Sequence, residues 1–219
     1  MDTGRMTYAD VINKTTLTLG LVVIGAVVGW QAPILMLPGA IIGLVLGLVN
    51  SFKREPSPVL ILLYAAFEGL FLGGLSAFFE TKWEGIAVQA VLATFSVFAV
   101  TLVLYRSGKY RATPKMTKMF MIAMIGYGLF SLLNFIFMLT GVAGGTFGMR
   151  SGALGLGIGI LAVLLATYAL VMDFTSISEG VQRGAPAKMA WAAAFGLTVT
   201  LIWLYVEILR ILAILRGDD

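Results

Sequence analysis

Seven stretches of this chain stay apolar for about the 17–25 residues that a helix needs to cross a bilayer, and that constrains the fold more than any other feature. They lie at 11–30, 34–49, 59–79, 86–105, 119–139, 153–172 and 197–215, each bounded by charge, Gly or Pro. Inside lipid a segment has to satisfy its own backbone polar groups, so spans of this kind are helical. The expected fold is an all-α polytopic membrane protein with seven transmembrane helices. A short segment, 1–10, leads into a single transmembrane domain, 11–215, and a tail, 216–219, closes the chain. The second span is the shortest, with Pro38 near its start, so it thins the bilayer locally, tilts little, or begins in the turn before it. No small-residue cleavage site follows the first span, which is expected to remain as a helix rather than be removed as a signal.

Composition narrows the chemistry. Hydrophobic residues make up 59% of the 219 and charged residues 12%, against about 45–50% and about 25% in soluble domains. Cysteine and histidine are both absent, which excludes disulfides, thiolate or imidazole metal sites, haem ligation and His-based dyads. No set of nucleophile, base and orienting group can be assembled. Gly217-Asp218, in the tail, is the only Gly-Asp pair near a span, and the last span has no lysine for a Schiff base. An enzyme is therefore not expected, and no cofactor is. The net charge of +4 belongs to loop charge that sets orientation, not to nucleic-acid binding.

Lysine and arginine sort cleanly between the two sides. Eleven of the 15 fall on the side of the N-terminus, three (Lys82, Arg150 and Arg216) on the other, and Arg210 within a span. Cytoplasmic loops hold the basic excess, so the expected placement is a cell membrane with the N-terminus cytoplasmic and the C-terminus outside. The densest group, Arg106, Lys109, Arg111, Lys115 and Lys118, serves topology first and anionic-lipid contact second.

Glycines Gly39, Gly43 and Gly47 recur at four-residue spacing, and Gly155, Gly157 and Gly159 cluster in the sixth span. Small residues so placed let helix backbones approach closely, and no phosphate-binding glycine motif is present. After the sixth span, 173–184 is polar, and Pro186 can open a helix running to Leu215. Those 30 residues would measure about 45 Å, too long for one straight crossing of a core about 30 Å thick. The spacing predicts a joint at Gly196, with 187–195 lying at the surface or re-entering; a strongly tilted helix is the alternative.

Charge inside these spans is costly, at least about 2.5 kcal/mol per residue near the bilayer centre, and by default marks a pathway. Glu207 and Arg210 sit inside the last span and Glu68 inside the third. Glu68 lies ten residues into its helix and Glu207 eight before the end of its own, depths of about 15 Å and about 12 Å. Asp173 closes the sixth span, nearer the cytoplasmic edge. Carboxylates facing one interior can form a cation path or a proton-dependent lock, because desolvation and mutual repulsion favour their protonated forms. Oxygen ligands alone favour a hard cation, Ca²⁺ before any transition metal. Plainer roles remain open: Glu207 and Arg210, three apart, can neutralise each other; Arg210 can extend to the interface; Glu68 can be a packing residue and Asp173 a helix-end residue. Asn134, within the fifth span, reads as a polar contact between helices.

The stretches Leu204-Tyr205-Val206-Glu207-Ile208-Leu209-Arg210, Met172-Asp173-Phe174 and Phe67-Glu68-Gly69-Leu70-Phe71-Leu72-Gly73 resemble the Bax inhibitor (transmembrane Bax-inhibitor-motif) family, in particular its bacterial, actinobacterial branch. The resemblance runs over nearly the whole chain from about Met6. It implies a seven-helix fold with the last helix central, and a pH-sensitive Ca²⁺ leak governed by two acids. Carried over position by position, these acids are Asp173 and Glu207. Two departures stand out: the second acid is Glu where Asp is usual, and the segment between the acids is longer here. The functional expectation is a cation leak gated by Glu68, Asp173, Glu207 and Arg210, with Asp173 and Glu207 as the candidate metal ligands. The alternative is a non-transporting regulator that binds another membrane protein, such as a membrane protease or a stress or cell-death factor.

Overall fold

The computed structural model describes residues 4–217, so the outermost residues of the 1–10 segment and of the 216–219 tail lie outside it. Seven helices follow in order: α1 (Tyr8–Gln31), α2 (Met36–Phe52), α3 (Pro58–Lys82), α4 (Ile86–Arg106), α5 (Pro114–Leu139), α6 (Gly152–Gln182) and α7 (Met189–Leu215). All seven are long and apolar enough to cross a membrane. Apart from one bridge between Arg5 and Pro186, the described residues form no sheet. Each helix covers its predicted span except α2, which begins two residues late because 33–35 form a separate 3-10 turn.

Local chemistry sets the ends. Thr7 caps α1 by accepting from the Asp10 amide, while the Asp10 carboxylate accepts from the Thr7 amide, so two orphan amides are satisfied reciprocally. Proline opens α3 and α5, where its missing N–H costs nothing. Gly184, at φ +66°, stops α6: its amide donates to Val181 O and the Ala185 amide to Gly180 O. That double bond pattern needs a left-handed residue, which only glycine supplies without strain.

Two expectations change here. First, α6 continues through Phe174–Gln182, so Asp173 lies nine residues inside a helix, about 14 Å from its end at 1.5 Å per residue, and is not a helix-end residue. Second, there is no joint at Gly196. α7 starts at Met189 and runs unbroken through Gly196 for 27 residues, about 40 Å, so a single helix longer than the core is thick takes the place of the joint. Sixty-one per cent of the most apolar window of α7 is buried, against 6% for α5; the last helix is the most enclosed of the seven.

The chain divides into two compact units. The first comprises Met1–Ala87 with Asp173–Thr200, and the second Val88–Met172 with Leu201–Asp219. In the first unit, α1 and α3 meet through four glycines. A Cβ on Gly25 or Gly29 would strike the α3 backbone at Ala66 and Leu70, and one on Gly69 or Gly73 would strike the α1 backbone at Val22 and Ala26. This crossing, built on two small-xxx-small pairs, was not singled out from sequence. The Gly39, Gly43 and Gly47 stripe does pack as expected, against Phe67, Glu68 and Tyr64 of α3. In the second unit Gly155 and Gly159 are packed, whereas Gly157 faces open space.

At the α6–α7 loop of the first unit, the Met6 amide donates to Ala185 O (2.7 Å) and the Ala187 amide to Gly4 O (2.9 Å). Lys188 pairs with Glu55 at 2.7 Å, and Lys14 lies 5.7 Å from the Trp191 ring. The Lys188 hydrogen bond and charge lower the Glu55 carboxyl pKa below the ordinary glutamate value.

Candidate functional site

In the second unit, Glu207 is the centre of a charge cluster. The residue is 2% exposed. Oε2 accepts from Arg210 Nη2 one turn along α7, so the expected intrahelical pair forms. Arg210 does not extend to the interface; it is 7% exposed and lies against Gly159 of α6, where a Cβ would come within 3.7 Å of Nη2. Oε1 accepts from the Tyr127 hydroxyl of α5 and from Arg150 Nη2 at 3.2 Å. Arg150 Nη2 also donates to Tyr127 Oη at 2.6 Å, with its guanidinium carbon 5.0 Å from the Tyr127 ring centroid. Trp203 flanks the tyrosine, ring centroids 5.8 Å apart.

Arg150 reaches this position because its loop is clipped to α5. Asn134 Oδ1 accepts from the Met149 amide (2.7 Å) and its Nδ2 donates to Phe147 O (3.1 Å). Asn134 therefore pins the connection that carries Arg150 rather than bridging two helices. Gly148, at φ +59°, passes directly beneath it, where a Cβ would crowd Asn134 Oδ1. Arg150 and Tyr127 were missed from sequence. The available signal was that Arg150 is the sole charge between Leu139 and Gly152, in a loop with no other need of one.

The other two acids belong to the first unit. Asp173 Oδ2 accepts from Thr200 Oγ1 at 2.7 Å, and its Oδ1 faces Gly196, where a Cβ would sit 3.4 Å away. Gly196 is thus a point where α7 meets an acid from α6, not a break in the helix. Glu68, half-buried on α3, lies over Gly43 of α2. Beside it on α3, Tyr64 packs edge-on to Phe195, centroids 5.1 Å apart. Among the described residues no three carboxylates gather into a group of the kind that holds a metal ion. The structure brings Glu207 together with Arg210, and gives Asp173 and Glu68 separate settings made of neutral neighbours.

Seven long apolar helices with Glu207 and Arg210 buried in the last of them define a multi-pass helical membrane protein with an internal charge site. Within that class, the chain belongs to the Bax inhibitor 1 like family, whose sequence model matches residues 1–217. No curated protein matches the chain.

Proposed function

We propose that this protein is a pH-sensitive cation leak, with Ca²⁺ as cargo, gated by its buried carboxylates Asp173 and Glu207, with Glu68 on the path. The observation that supports it most is the Glu207 cluster, where one carboxylate restrains two guanidiniums and, through Arg150, a connecting loop. Removing that negative charge, by protonation or substitution, leaves Arg150 and Arg210 side by side, and their repulsion frees the loop. The acids supply oxygen ligands suited to a hard cation. Ca²⁺ entry into dye-loaded liposomes tests this: Glu207→Gln raises flux at neutral pH and flattens its pH dependence, and flux unchanged from wild type would count against the gate. The N-terminus is cytoplasmic and the C-terminus outside on this reading, and no enzymatic step is involved.

One observation favours a second reading. Glu207 is already neutralised by two cations, an arrangement that suits a structural charge cluster in a non-transporting regulator bound to another membrane protein, such as a protease or a stress or cell-death factor. A partner that co-purifies equally with wild type and Glu207→Gln, together with no flux in liposomes, would select it.

A further inference from the structure

The charges around Glu207 do not balance. Tyr127 Oη and Glu207 Oε1 share one hydrogen bond, so one proton lies between them and the two groups together carry a single negative charge wherever it sits. Arg150 and Arg210 bring two positive charges, since guanidinium does not deprotonate in proteins. Glu207 is the only Asp or Glu among the described residues of the second unit, so those residues offer no second carboxylate to the second guanidinium. Nε of Arg150 and Nε of Arg210 are, in addition, both buried without a hydrogen-bond acceptor. Buried charge is normally paired, and buried donors are normally satisfied. A water molecule would supply acceptors but not charge.

We infer that the cluster is an anion site, taking one monovalent anion, a free halide or the phosphodiester of a lipid headgroup, between the guanidiniums of Arg150 and Arg210. The anion supplies the missing charge and the missing acceptors together. Access is short, because Arg210 lies five residues before the end of α7, about 8 Å along the axis, and Arg150 lies in the turn that leads into α6. The inference does not depend on the leak reading and would hold equally in a non-transporting protein.

Trp203 provides the probe, because its ring flanks the cluster. The full chain with Trp30, Trp83 and Trp191 replaced by Phe is delipidated in neutral detergent and titrated with iodide against gluconate at constant ionic strength. Trp203 emission should quench saturably, chloride should shift the iodide midpoint in proportion to its concentration, and neutral acrylamide should quench linearly. Arg150→Gln balances the cluster and should weaken iodide binding at least tenfold; if that variant does not fold, the chloride competition in the parent protein decides. In nanodiscs, saturable quenching that persists in a neutral, phosphate-free galactolipid but disappears in phosphatidylcholine assigns the site to a lipid phosphodiester, and persistence in both assigns it to a free anion. Quenching linear in iodide at every concentration and indifferent to chloride would overturn the site.

Discussion

Glu207 and Asp173 occupy opposite electrostatic settings, and the units that hold them differ in the same sense. The first unit has seven basic and seven acidic residues among those described; the second has eight basic residues and one acid. Asp173 accordingly rests against a hydroxyl and a glycine, whereas Glu207 is enclosed by two guanidiniums and a phenol. An acid among neutral groups can lose its charge with little disturbance to its neighbours. An acid that holds two cations cannot, because breaking a buried ion pair strands the partner. Two carboxylates with the same nominal chemistry are thus fitted for different work, one adaptable and one a fastener.

The sharpest way to break this contrast is Glu207→Gln, which should destabilise the protein by about 3–5 kcal/mol, the usual cost of stranding a buried charge; equilibrium unfolding in detergent measures it, and a loss below 1 kcal/mol would deny Glu207 its fastening role. Thr200→Val should cost about 1–3 kcal/mol in the same assay, by leaving the partly buried Asp173 carboxylate without its donor. Asp173→Asn should cost no more than about 1 kcal/mol, since the amide oxygen still accepts from Thr200 and no cation is stranded. If Asp173→Asn proves as damaging as Glu207→Gln, the two settings are not distinct. The smallest effect belongs to the Glu55–Lys188 pair. Because the folded-state pKa of Glu55 is lowered, its stabilisation is present above the ordinary glutamate value and disappears as pH falls through the folded value. Thermal midpoints of wild type and Glu55→Gln should differ slightly at neutral pH and converge in acid; divergence in acid would reverse the sign.

The seven helices were legible because a bilayer demands long apolar runs, and no tertiary detail changes that demand. Their ends were less so. The stretch 173–184 reads as a connection by polarity, yet it stays helical through Gln182, and the left-handed backbone of Gly184 is the actual stop. Gly196 reads as a joint from length alone, yet it lies inside an unbroken helix and meets Asp173. At the charge site, Glu207 and Arg210 stood out because charge is rare in such a run and one helical turn joins them. Arg150 and Tyr127 did not, since loop charge is ordinarily solvated and only the Asn134 clip turns this one inward. Spacing along one helix can be read from sequence; a loop folded back over a helix end depends on contacts between residues far apart in the chain.

The crossing of α1 and α3 limits how the first unit can move. Each glycine is a notch occupied by a peptide group of the opposite helix, so the two rods mesh like a rack and cannot slide lengthwise without driving Leu70 or Ala26 out of its slot. They can pivot about the contact. Any motion of α1 against α3 must therefore be a swing or a twist about that contact, and a piston-like stroke is closed to the pair.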